Sequence, residues 1–148
     1  MKLRVAFGVL AMVWMAGVSH NVLQAKQAAA GASKSVWDGV FSKEQADKGA
    51  AAYKANCSEC HGNDLAGDGF APALQGAEFL GNWTDLTVGD LFERIRISMP
   101  PSGPNGVSPE VKADIVAHLL NSNKFPAGQG TLEPKTDVLK AIKIDQKK

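Results

Sequence analysis

The chain has 148 residues, 45% of them apolar and 21% charged, and 16 basic residues face 15 acidic ones for a net charge of +1. This is the composition of one globular domain with its own core. It excludes a disordered chain and leaves no basic surplus for gripping nucleic acid. Two cysteines, Cys57 and Cys60, are too few for a disulfide scaffold or a four-thiolate zinc site.

The N-terminus opens with Lys2 and Arg4, followed by fourteen uncharged residues from Val5 to Val18. That run is short for a bilayer span and has the length of a signal-peptide core. Small residues follow, and the pattern predicts a signal peptide over 1–30, cleaved after Ala30, with Ala25 as the alternative. Removal takes away Lys2, Arg4 and Lys26, so the mature chain is slightly acidic. Export to an oxidising, periplasmic compartment is the expectation, with membrane attachment only if the signal stays uncleaved. Residues 31–41 form an N-terminal segment, in which Trp37 and Phe41 are expected to dock onto the domain.

From Ser42 the periodicity is helical, with no good strand alternation. Ser42-Lys43-Glu44-Gln45 reads as a capping box, in which the Ser42 hydroxyl and the Gln45 side chain satisfy free amides. Ala46, Gly49, Ala50 and Tyr53 recur at helical spacing, and the helix ends near Asn56. Its lysines, Lys43, Lys48 and Lys54, read as a solvated face. Residues 62–82, rich in Gly and Pro, read as loop, and NDLAGDG within it as turns rather than a calcium site. A second helix starts at Thr87, with Leu91, Phe92 and Ile95 on one face. Ser108 caps a third, with Pro109 in its first turn and Val111, Ile115, His118 and Leu119 on its face, stopping around Asn121. Residues 123–148 are a C-terminal extension, packed or partly free, with a short helix around 138–142. The fold class is therefore all-α, three to four short helices with long loops. So few helices make a poor core alone, so the loops of the 42–122 domain must wrap something large and apolar.

Residues 57–61, CSECH, indicate what that is. Two thiols separated by two residues on a helical turn match the vinyl groups of a heme, and the adjacent His61 faces the iron. A dithiol redox pair competes, but it belongs at a helix start after a strand, and no strand pattern precedes Cys57. Zinc competes too, through Cys57, Cys60, His61 and His118 or an acidic residue, although the spacing fits no common zinc pattern. A covalent heme c with its iron is the expected cofactor. Beyond the signal, Met99 is the remaining methionine and His118 the spare histidine. Met99 lies in Ile97-Ser98-Met99-Pro100-Pro101, a proline-stiffened strap 38 residues after His61, room for the chain to cross a heme. His118 sits on an apolar helical stripe and reads as packing. His61 is therefore expected as the proximal and Met99 as the distal axial ligand.

Over about 42–122 the chain resembles the class I c-type cytochromes, small single-heme electron carriers. The resemblance implies that Gly49 and Tyr53 lie where the first helix crosses the last, around Asp114–Leu119. His118 stands there where an aromatic is usual. It implies that the Pro72 carbonyl, in Ala71-Pro72-Ala73-Leu74, accepts the proximal histidine's Nδ1–H, and that Leu74 lines the heme face. Trp83 is implied at the heme edge, with or without an indole bond to a propionate, and Arg94 and Arg96 are propionate candidates. VWDGVF, DLFERI and FPAG look like exported carriers that accompany quinoprotein dehydrogenases. The implied function is a shuttle, not an enzyme, carrying single electrons from an exported, possibly quinoprotein, dehydrogenase to a terminal oxidase or another cytochrome of the respiratory chain. A heme enzyme or gas sensor with a displaceable ligand, and a subunit held permanently to a dehydrogenase or oxidase, are the alternatives.

Overall fold

The structure is a computed structural model and describes residues 34–146; the expected signal peptide lies outside them. Strand β1 (Lys34–Ser35) leads through a 3₁₀ turn at Val36–Asp38 to helix α1 (Lys43–Asn56) and the one-turn helix α2 (Ser58–His61). Helices α3 (Gly76–Trp83) and α4 (Val88–Ser98) follow, then a 3₁₀ turn at Pro104–Gly106, helix α5 (Pro109–Ser122), the short α6 (Thr136–Leu139) and strand β2 (Ile142–Lys143). The architecture is all-α.

Local chemistry places the long helices. Ser42 Oγ accepts from the Gln45 amide at 3.1 Å, and Ser108 caps α5 through the Val111 amide, with Pro109 in its first turn. At α4 the box is complete: Thr87 Oγ1 accepts from the Asp90 amide, and Asp90 Oδ2 accepts from that of Thr87. The Thr87 hydroxyl and amide hold the Asp90 carboxyl below its usual range. At α1 the expected box is only half formed. Gln45 is buried, and its side chain turns away to bond the backbone of Leu132, donating to its carbonyl at 3.0 Å and accepting from its amide at 2.9 Å. A buried amide needs both its donor and its acceptor paired, and one backbone unit supplies both.

Helices α1 and α5 make the main packing contact. At Gly49 a Cβ would collide with the Asp114 carbonyl and lie 2.9 Å from His118 Cβ, so the helices cross backbone to backbone. Beside the crossing, the Tyr53 and His118 rings pack at 5.4 Å. The obstruction at Gly49 is main chain, which cannot swing aside as a side chain can. Gly49→Val is therefore expected to lower stability by about 3 kcal/mol, the upper end of ordinary overpacking. Thermal unfolding of the holoprotein measures it.

The structure departs from the sequence reading in three further places. Residues 76–83 are helix rather than loop. No side chain at Gln75 caps α3; its first amide is instead met by Asn123 Oδ1 at 2.9 Å, from the far side of the chain. Its local trace is the pair Phe79 and Trp83, four residues apart, with rings 6.5 Å from each other. Second, β1 and β2 pair in parallel, Lys34 with Ile142 and Ser35 with Lys143. Two-residue strands are too short to show alternation. Third, the short C-terminal helix covers Thr136–Leu139, ahead of the expected position, and Ile142 belongs to β2.

The segments on either side of the helical core lie together. Phe41 is fully buried, as are Leu132, Leu139 and Ile144. Trp37 meets Phe125 edge-on at 4.9 Å and donates its indole N–H to the Asp145 carbonyl at 2.9 Å. Gly39, with φ +65°, brings its backbone against Gly128, where a Cβ would meet Gly128 Cα at 2.9 Å.

Candidate functional site

Helix α1 runs directly into the Cys57–His61 segment. The Cys57 amide donates to Tyr53, and the Cys57 carbonyl accepts from both Cys60 and His61, at 3.2 and 3.0 Å. One helical turn thus carries both thiols and the imidazole. Cys57 is half-buried, Cys60 is exposed, and both are free thiols. Burial pushes the Cys57 thiol up, as does Cys60, while the Lys112 ammonium pulls it down. The element before Cys57 is a helix, not the strand a dithiol redox motif requires. Among the described residues, no three His, Cys, Asp or Glu side chains are gathered as a metal ion would need.

The loop after His61 is braced from within. Asp68 Oδ1 accepts from the Phe70 and Ala71 amides at 2.9 and 2.8 Å, bonds that hold its carboxyl below the usual range. The Leu74 amide donates to the Leu65 carbonyl at 2.8 Å, and Gly67 donates to that of His61 at 2.9 Å. These bonds fix the loop so that the Pro72 carbonyl stands 2.9 Å from His61 Nδ1. A carbonyl only accepts, so Nδ1 carries the proton and Nε2 presents a lone pair. Tyr53 closes the same turn from the other side, donating its hydroxyl to the Gly62 carbonyl at 2.7 Å. Burial, with the neighbouring Cys57 and Asp64, pushes the Tyr53 phenol up to about 12.

Family comparison accounts for this geometry. The family described as "Cytochrome C oxidase, cbb3-type, subunit III" matches residues 44–119, from the first turn of α1 to the last turns of α5. The chain belongs to this family of cytochrome c domains. No match was found among curated proteins or among solved structures.

Cytochrome c domains carry covalently bound heme c, and the residues present fit it. Two free thiols one turn apart and an imidazole anchored through Nδ1 are the donor set such a heme requires. Met99 follows α4 in extended conformation, φ −125° and ψ 138°, with its amide still bonded to the Ile95 carbonyl. Leu74 is partly buried, its carbonyl accepting from Asn123 Nδ2 at 3.0 Å, and Trp83 packs near Phe79 at the end of α3. Arg96 binds Glu93 through two parallel bonds, from Nε at 2.8 Å and Nη2 at 2.6 Å. Arg96 and Thr136 together draw the Glu93 carboxyl down to about 2.

Two residues at the site carry roles that sequence reasoning missed. Asn123 ties the end of α5 to Leu74 and to the start of α3. Lys112, 2% exposed, donates to the carbonyls of Arg96 at 3.0 Å and Pro104 at 2.6 Å. Burial, and Arg96 next, lower its pKa, against the pull of Cys57. The available signal was register: Lys112 falls on the buried stripe of α5 with Ile115, Val116 and Leu119.

His118 is partly buried against Tyr53, and burial holds its imidazole below the usual range, opposed by Asp47. The unfolded chain, with a histidine near pKa ~6.5, binds the proton more readily. This contribution to stability is therefore present above that value and is lost as pH falls through it toward the folded pKa. Melting curves of the parent and of His118→Phe are expected to diverge on acidification, with His118→Phe losing less.

Proposed function

We propose that this cytochrome is an exported single-electron shuttle in which His61 and Met99 are the axial ligands of a heme held by Cys57 and Cys60. The observation that carries the reading is the 2.9 Å bond between His61 Nδ1 and the Pro72 carbonyl, on the same helical turn as both thiols. When bound, the heme supplies an iron that alternates between ferric and ferrous, one electron at a time. The protein's part is positional. The Pro72 bond orients the His61 ring and raises its donor strength. Pro100 and Pro101 stiffen the strap that presents the Met99 thioether, a soft neutral donor that suits a stable carrier of relatively high potential. With His61 and Met99 both holding the iron, no place would be left for a substrate, which would separate a shuttle from a heme enzyme or gas sensor.

On the donor side we place an exported dehydrogenase of the quinoprotein kind, supported by the VWDGVF, DLFERI and FPAG segments. On the acceptor side we place a terminal oxidase, supported by the family's description as an oxidase subunit. Export is supported by the basic start and uncharged run of residues 1–30. Among the described residues no helix is long and apolar enough to cross a membrane.

The test is purification of the holoprotein from the exported fraction, followed by reduction with candidate dehydrogenases. A protein that is reduced by a quinoprotein dehydrogenase, reoxidised by an oxidase, and resistant to carbon monoxide at neutral pH supports the shuttle. Ready carbon monoxide binding by the reduced parent moves the enzyme or sensor reading ahead.

A further inference from the structure

Lys112 is the one charged side chain that is fully buried among the described residues. A buried ammonium is costly unless its protons are taken up, and here two are, by the carbonyls of Arg96 and Pro104. Those carbonyls bracket the segment 97–103, with Met99 inside it. Otherwise the segment bonds to itself and to the turns next to it in the chain: Met99 to Ile95 at 3.0 Å, Gly103 to Pro100 at 3.1 Å, the Ser98 hydroxyl to Arg94 at 2.6 Å, and the Gly103 carbonyl accepting from the Gly106 amide at 3.0 Å. Among the described residues, the hydrogen bonds that tie the strap to another part of the fold are the two from Lys112. Lys112 belongs to α5, and α5 crosses α1 backbone to backbone at Gly49. Helix α1 continues into Cys57. The strap is thereby referenced to the same rigid pair of helices that carries the heme-attachment turn.

We propose that Lys112 is a positioning residue that holds the Met99 strap closed, by clamping both of its ends to α5. The proposal rests on Met99 being the sixth ligand. A thioether is a weak, uncharged donor, so its occupancy of the iron depends on how firmly the backbone presents it. Each strap end also gains: Arg96 lies in the last turn of α4, where carbonyls lack helical partners, and Pro104 begins the 3₁₀ turn. Hydrogen bonds to a charged donor are stronger than neutral ones, which suits a clamp made of two contacts.

The experiment is imidazole titration of the ferric holoprotein, with the sulfur-to-iron charge-transfer band recorded alongside. Lys112→Met keeps most of the apolar stem of the side chain and removes the donors. It is expected to bind imidazole at least about tenfold more tightly than the parent, a factor that corresponds to ~1.4 kcal/mol at 25 °C. On heating, its charge-transfer band is expected to disappear well before helical circular dichroism is lost. A Lys112→Met protein with lowered melting temperature and an imidazole affinity within about twofold of the parent overturns the clamp, since Lys112 then contributes packing alone. If that variant does not accumulate, Lys112→Gln is judged by the same criterion, because its shorter amide cannot span both carbonyls. The ligand assignment fails separately, through a parent that lacks the band or a Met99→Ala protein that keeps it.

Discussion

Met99→Ala is expected to abolish the sulfur-to-iron charge-transfer band of the oxidised protein and to open the sixth position to water, carbon monoxide or added imidazole. The heme stays attached, because attachment depends on Cys57 and Cys60 and the orientation of the proximal ring on the Pro72 carbonyl. Among the described residues, His118 is packed on Tyr53 and Lys112 is committed to two carbonyls, so neither is poised to replace the thioether. Weak peroxidase activity absent from the parent is expected to appear with the open site. Met99→His refills the position with a stronger donor that favours ferric iron. It should lower the reduction potential by an amount on the order of 0.2 V, within the ~0.8 V range that axial ligands command. Optical titration and potentiometry measure both effects. His118→Phe should leave the band intact; a changed axial signature there, with Met99→Ala unchanged, would establish bis-histidine ligation instead.

Replacing both Cys57 and Cys60 by serine is expected to eliminate heme staining on a denaturing gel, whereas the parent purified with its heme is expected to carry one heme and no alkylatable thiol. The consequence for folding is equally large. Residues 62–75 fold back on the attachment turn through bonds to His61 and Gly62 and through turns around Asp68. Their apolar contribution to the core among the described residues is small: Leu65 is buried and Leu74 partly so, while Phe70 is 99% exposed. A loop with so little buried surface of its own depends on the group it wraps, so the double variant should accumulate poorly and be cleaved in this loop. Mass spectrometry of limited-proteolysis fragments tests that directly. A serine pair that still binds heme tightly and resists proteolysis would show that the covalent links are dispensable.

What the amino-acid sequence determined by itself is everything whose cause lies within a few residues. Ser42, Thr87 and Ser108 announce helix starts because a hydroxyl reaches an amide three positions on. The faces of α4 and α5 show because burial repeats at the helical period. CSECH is legible because its chemistry requires two thiols and an imidazole on one turn. Gly49 was placed at a helix crossing by resemblance, and the carbonyl of Asp114 supplies the physical reason. The tertiary structure decided what depends on distant partners. Helix α3 receives its first cap from Asn123, 47 residues away, so no local pattern marks its start. Gln45 abandons half of a local capping box for the backbone of Leu132, 87 residues on, because a buried amide needs two partners and Leu132 offers both. Lys112 reads as an ordinary helix lysine until the fold brings the ends of the Met99 strap to its ammonium. Side-chain chemistry fixes local geometry at short range, whereas which polar groups are taken out of water, and what must then satisfy them, is settled only when the chain has closed on itself.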